Sequence, residues 1–318
     1  MKKILSFTLL LALLCGACGA YAEETGYQAP TLLDASDLAG VPTHYLLYDR
    51  EFYEAPCDQP GTVVKIKYKN DLYDKPYANY INVYLPYGYD ETGTERYPII
   101  YFLHGNGGDS TTLLGNQATV NAFDHMISTG VVRPFILVAP SYYYDQRKKL
   151  SDMDIFVKEL REELMPMIEG KYRTYAETPD ESGFQASRDY RAFCGFSRGS
   201  GNTWFLFDKM LDVSRYFLPF SGAFMNMNGD GVSLDILRNA INQAHADYFI
   251  YMACGGTEDT AFEGCRSLAQ EMIQDEAYFS YGSDFTQNHF FYCQSDNIHQ
   301  DLTSRYYLYN AFLDGLFQ

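Results

Sequence analysis

From Thr62 onward polar and apolar positions alternate: Thr62-Val63-Val64-Lys65-Ile66-Lys67-Tyr68, then, beyond a turn-rich link at Asn70 to Pro76, Tyr80-Ile81-Asn82-Val83-Tyr84-Leu85. A period of two with β-branched and aromatic residues predicts two strands, each with one polar face, and the link predicts an antiparallel pair. Beyond Tyr97 the texture changes. Short, mostly apolar runs at Ile99 to Leu103, Phe135 to Ala139, Arg191 to Cys194, Phe217 to Phe220, Tyr248 to Cys254 and His289 to Cys293 read as strands covered on both faces. Helical patterns lie between them, at about Leu114 to Ser128, Asp154 to Glu169, Gly199 to Leu211, Ser233 to Gln243, Thr260 to Phe279 and His299 to Leu316. The alternation predicts an α/β fold, a mostly parallel, doubly wound sheet opened by an antiparallel N-terminal hairpin. No repeat or long linker divides residues 51–318, which therefore read as one domain.

Ahead of that domain, residues 1–22 have the layout of an export signal. Lys2 and Lys3 are followed by an apolar stretch from Ile4 to Leu14, and Ala20-Tyr21-Ala22 offers a small-x-small cleavage site. Residues 23–50 read as a leader wrapped on the domain surface. A cysteine at Cys18 after Gly16 and Ala17 admits the alternative of a lipoprotein anchor. Both routes lead out of the cytoplasm, and no stretch reaches the roughly eighteen apolar residues of a spanning helix. Cys57, Cys194, Cys254, Cys265 and Cys293 remain after the signal, an odd count without a C-x-x-C pair, so no metal site is expected. A bridge from Cys265 to Cys293 or Cys254 is compatible with export. The formal net charge of −17 repels polyanions, which argues against nucleic acid or anionic membrane as partners.

Candidate chemistry centres on Arg191-Ala192-Phe193-Cys194-Gly195-Phe196-Ser197-Arg198-Gly199-Ser200-Gly201. A G-x-S-x-G run between a predicted strand and a predicted helix is the pattern of a nucleophile elbow, where a sharp turn exposes the serine and small neighbours avoid collision. Ser197 then needs an acid and a base in the order serine, acid, histidine. His299 falls in a loop past the last strand, whereas His289 sits inside a strand-like run. The acid is read as Asp259, in Gly255-Gly256-Thr257-Glu258-Asp259, with Glu258 as its alternative. After the strand at Ile99, His104-Gly105-Asn106-Gly107-Gly108-Asp109 offers backbone N–H groups to a developing oxyanion. The donors are read as Asn106 and Arg198, with His104 bracing the loop.

Together these segments resemble the esterase D-like branch of the α/β hydrolases, and most closely the feruloyl and acetylxylan esterases of carbohydrate esterase family one. The resemblance spans about Thr62 to Phe317. It rests on Asn82-Val83-Tyr84-Leu85-Pro86-Tyr87-Gly88-Tyr89, Tyr97 to Gly105, the elbow, Phe220-Ser221-Gly222-Ala223, and the segments at Gly256 to Asp259 and at His299. It implies an α/β-hydrolase fold and a serine carboxylesterase with Ser197, Asp259 and His299 as its triad, needing no cofactor and no metal. The implied substrate is acylated plant polysaccharide, carrying ferulate or acetate on xylan. Two departures stand out. Arg198-Gly199-Ser200 replaces the family's small or thioether residue followed by two glycines, and Asn297-Ile298-His299 replaces its Gly-Gly-His.

For substrate contacts, Tyr142 and Tyr143 follow the strand ending at Ala139, where aromatic rings would stack on a sugar or phenolic acid, and Trp204 is a further candidate on the helix behind the elbow. Three other readings stay open on the sequence: an acyltransferase, a peptidase or thioesterase on the same fold, and a non-catalytic carbohydrate-binding relative.

Overall fold

The computed structural model describes residues 49–70, 72, 77–143, 152–223, 233–295 and 297–317. The export signal, Cys18 and the leader up to residue 48 lie outside them. Strands β1 (Thr62–Asn70) and β2 (Tyr77–Leu85) pair antiparallel with Thr62 opposite Leu85. Then follow β3 (Ile99–Leu103), β4 (Ile136–Ala139), β5 (Arg191–Phe196), β6 (Tyr216–Phe220), β7 (Phe249–Cys254) and β8 (Phe290–Gln294). These six run parallel within one sheet of order β1-β2-β4-β3-β5-β6-β7-β8, with β2 antiparallel to β4. This is the α/β-hydrolase-type sheet, with its antiparallel opening hairpin.

Alternate side chains of each central strand feed opposite cores, which is why the strands read as almost continuously apolar. Ile99, Tyr101, Leu103 and Phe193 pack with Phe156, Ile168, Trp204, Leu237 and Leu268 on one face. Those partners come from α3 (Met153–Glu159), α4 (Met165–Lys171), α6 (Arg198–Met210), α7 (Leu234–Ala244) and α8 (Phe262–Gln274). Ile100, Phe102, Ala192 and Cys194 face the other way, against Tyr53, Phe123, Tyr307 and Phe312. These belong to α1 (Arg50–Glu54), α2 (Gln117–Ser128) and α9 (Ser304–Asp314), and α5 (Glu181–Ala186) precedes β5.

The chain steps from β3 out to β4 and then returns past β3 to β5, so the winding reverses between β3 and β5. In an open parallel sheet the crevice at such a reversal, beyond the carboxyl ends of the strands, is where ligands bind. Leu103 at the end of β3 pairs with Gly195 near the end of β5, so the His104 loop and Ser197 emerge side by side.

The largest departures from the sequence pattern fall in three helices. The helix expected over Asp154 to Glu169 is broken by a π-turn at Leu160–Leu164, in which Met165 N–H bonds Leu160 O five residues back. Pro166 is the physical reason: it has no N–H for the Glu162 carbonyl, so the ladder slips. The last helix starts at Ser304, not at His299, and α8 ends at Gln274, short of Phe279. The five described cysteines are free thiols, so no bridge joins Cys265 to Cys254 or Cys293.

Candidate active site

Ser197 occupies the turn between β5 and α6 with φ 54° and ψ −113°. A positive φ costs a non-glycine residue free energy and persists only where surrounding structure enforces it. Enforcement is visible here: Ser197 N–H donates to Phe220 O at 2.8 Å and Gly201 N–H donates to Ser197 O at 3.1 Å. The flanking glycines are sterically required. A Cβ at Gly195 would lie 2.2 Å from Gly199 O, and one at Gly199 would lie 2.1 Å from Leu103 O.

His299, in the loop after β8, brings Nε2 to 2.8 Å from Ser197 Oγ. Its Nδ1 lies 2.6 Å from Asp259 Oδ1. A carboxylate can only accept, so Nδ1 carries the proton and Nε2 accepts from the serine hydroxyl. Phe196 flanks the imidazole, its ring centroid 4.8 Å away. Asp259 follows β7 and is buried, while Glu258 beside it is exposed; Asp259 alone of the two candidate acids meets the imidazole. Ala261 N–H donates to its Oδ1 at 2.8 Å and Gly255 N–H to its Oδ2 at 3.2 Å. Burial pushes the Asp259 carboxyl up, but hydrogen bonds from His299 and the Ala261 N–H outweigh it, and the group lies below its ordinary value.

The loop after β3 is braced from beneath. His104 Nδ1 lies 2.8 Å from Gly105 O and Nε2 2.9 Å from Ser141 Oγ, with the ring stacked on Tyr142 at 4.3 Å. Among the described residues Asn106 N–H has no hydrogen-bond acceptor, whereas Gly107 N–H donates to Tyr143 Oη at 2.8 Å. Arg198 N–H opens α6 immediately after Ser197. The two backbone groups expected as donors thus stand at the ends of adjacent strands.

The aromatic residues expected to touch substrate have other positions. Tyr142 is fully buried and donates from Oη to His104 O at 2.9 Å and Gly105 O at 3.1 Å. Burial pushes its phenol far above the ordinary value, so it stays a donor. Tyr143 is 5% exposed and donates to Asn106 Oδ1 at 3.3 Å. Trp204 is 1% exposed in the core, its indole N–H bonded to Gly222 O at 3.0 Å. Tyr142 and Trp204 therefore offer no face to a ligand. Each buries a large ring and pairs its polar atom with a backbone carbonyl, and all three brace the site from behind.

Two residues at the site gave no sequence signal. Ser141 holds His104 Nε2, and Asp301 accepts the Gly105 N–H at 2.6 Å from 196 positions away. Only the folded sheet brings such partners together.

A strained serine at the strand-to-helix turn after β5, bonded through a histidine in the loop after β8 to a buried aspartate in the loop after β7, places the protein among the α/β hydrolases. A family described as putative esterase matches residues 78–201. Endo-1,4-beta-xylanase Y of Acetivibrio thermocellus is 33% identical over 264 residues, 81% of this chain and 23% of that protein. An endo-1,4-beta-xylanase/feruloyl esterase of Xylanibacter ruminicola is 26% identical over 220 residues, 66% of this chain and 27% of that protein. The chain thus spans about a quarter of the length of these curated relatives. The solved feruloyl esterase module from Clostridium thermocellum, a mutant complexed with sinapinate, superposes with a TM-score of 0.74 at 31% identity, covering 87% of this chain and 95% of that one. The protein belongs to the same esterase family as this feruloyl esterase module.

Proposed function

We propose that the chain is an extracytoplasmic serine carboxylesterase that removes hydroxycinnamoyl or acetyl groups from xylan. The observation that carries this reading is the hydrogen-bonded line Ser197 Oγ, His299 Nε2, His299 Nδ1, Asp259 Oδ1, at 2.8 and 2.6 Å, on a strained elbow. In the proposed reaction His299 takes the hydroxyl proton as Ser197 Oγ bonds to the ester carbonyl carbon. The carbonyl oxygen becomes an oxyanion facing the N–H groups of Asn106 and Arg198. Asp259 holds the imidazolium. Collapse breaks the ester bond, and His299 returns its proton to the departing sugar hydroxyl. Water then repeats the sequence on the acyl-serine, giving the free acid and the starting enzyme.

The acyl class is supported by likeness to a feruloyl esterase module complexed with sinapinate and to two xylanase-containing proteins. Ile298, 47% exposed next to His299, supplies an apolar edge suited to an aromatic acyl group. Export rests on the Lys2 to Ala22 pattern. No helix among the described residues is long and apolar enough to cross a membrane.

The test is hydrolysis of 4-nitrophenyl acetate, methyl ferulate and acetylated xylan by wild type, Ser197→Ala and His299→Ala. Losses of at least about a thousandfold in kcat are expected for both variants. Wild-type rates in either variant would remove the site assignment. Cleavage of the activated ester alone would remove the cell-wall substrate and leave the nucleophile standing.

A further inference from the structure

Asp301 lies two residues beyond His299, in the short 3-10 turn Asp301–Thr303 that precedes α9. Its Oδ1 accepts the Gly105 N–H at 2.6 Å, a short charge-assisted bond that joins the loop after β8 to the loop after β3. Glycine permits the approach: a Cβ at Gly105 would lie 2.9 Å from both carboxylate oxygens.

Two successive peptide groups are thereby held. The His104–Gly105 peptide is gripped at both polar atoms, its N–H by Asp301 at 2.6 Å and its carbonyl by Tyr142 Oη at 2.9 Å. The next peptide supplies the Asn106 N–H, and its carbonyl, Gly105 O, accepts from Tyr142 Oη at 3.1 Å and from Gly108 N–H at 3.1 Å. A trans peptide is planar, so fixing Gly105 O aims the Asn106 N–H in the opposite direction. Of these ties, Asp301 alone comes from the loop that carries His299.

We propose that Asp301 is a positioning residue that locks the oxyanion loop to the histidine loop, holding the Asn106 N–H and the His299 imidazole at one fixed spacing around the reacting carbonyl. The proposal rests on the ester-hydrolase reading above. What Asp301 supplies is an acceptor oxygen for the Gly105 N–H. An asparagine at this position retains such an oxygen while giving up the charge, which makes it the conservative variant.

The experiment compares wild type, Asp301→Ala, Asp301→Asn, Gly105→Ala and Ser197→Ala on methyl ferulate, and adds the inhibition constant of an aryl boronic acid, whose anionic tetrahedral adduct engages oxyanion donors. Removing an oxyanion donor costs about 10²–10³ in kcat, and displacing one costs less, so Asp301→Ala is expected to lose about 10- to 100-fold in kcat with KM within about threefold. Boronic acid affinity should fall in parallel, Asp301→Asn should recover to within about fivefold of wild type, and Gly105→Ala should reproduce the kcat loss by pushing the carboxylate away. If Asp301→Ala fails to fold, the Asn and Gly105→Ala variants still decide. The proposal is overturned if Asp301→Ala keeps kcat, if the loss lies in KM, or if Asp301→Asn is as impaired as alanine. Turnover by Ser197→Ala sinks the hydrolase reading itself; an inactive Ser197→Ala beside an unimpaired Asp301→Ala sinks only the positioning role.

Discussion

Replacing Asp259 by asparagine isolates the charge of the buried acid from its geometry. Asp259 Oδ1 accepts from His299 Nδ1 at 2.6 Å and Ala261 N–H at 2.8 Å, and Oδ2 accepts from Gly255 N–H at 3.2 Å. An asparagine that keeps its oxygen at the Oδ1 position preserves both shorter bonds and opposes its amide only to the longer Gly255 contact. The flipped amide would face two donors and force the imidazole proton onto Nε2, so the first orientation prevails. What remains lost is attraction between the carboxylate and the imidazolium formed in the reaction. For charges centred roughly 4 Å apart at an effective dielectric of about 20, that attraction is about 4 kcal/mol. At 1.36 kcal/mol per decade, kcat for methyl ferulate should fall by roughly a thousandfold. Steady-state kinetics across pH 5–9, with a thermal melt to confirm folding, measures it. A loss under tenfold would refute the electrostatic reasoning, as would an equal loss in Glu258→Gln, whose exposed side chain should matter by less than about twofold.

Tyr142→Phe removes both Oη hydrogen bonds to His104 O and Gly105 O without changing the buried ring; kcat should fall about tenfold with little change in KM, and an unchanged kcat would remove the bracing role. Gly195→Ala should prevent folding or destabilise by more than about 4 kcal/mol in chemical denaturation, because its Cβ meets backbone and not a flexible side chain. For Asp124 the sign with pH is opposite to that of a salt-bridged carboxylate. Burial raises its folded-state value, with Tyr84 Oη and Gly61 N–H opposing, so the folded chain binds the proton more tightly than the unfolded one. That contribution favours folding at low pH and is lost as pH rises through the raised value. Asp124→Asn, which keeps an acceptor for both donors, should therefore match or exceed wild-type thermal stability at pH 7 and lose that advantage near pH 4; a reversed order would contradict it. Thiol titration of the native protein lacking its first 22 residues should detect the half-exposed Cys57 alone, and all five thiols after denaturation. Fewer than five would indicate a bridge.

The parallel sheet was legible in the sequence because strands buried on both faces must be apolar at nearly every position, and helices covering them must carry a stripe. Ser197, His299 and Asp259 were legible for a related reason: each stands just past a predicted strand, and strand ends at the carboxyl edge of such a sheet converge. Local pattern also fixed the two elbow glycines. It left Asp259 against Glu258 undecided, because adjacent loop positions differ only in the direction a side chain takes after the backbone turns. Tertiary structure made that choice by burying one carboxylate against the imidazole and leaving the other in water. It also moved Tyr142 and Trp204 from the ligand's side to the protein's, since aromatic residues near a site look alike in sequence whether they face outward or support the backbone from behind. Asp301 lay wholly beyond the sequence's reach. Its meaning is a contact with Gly105 between the loops that follow β3 and β8, and a hydrogen bond between positions 196 residues apart leaves no periodicity for a linear pattern to carry.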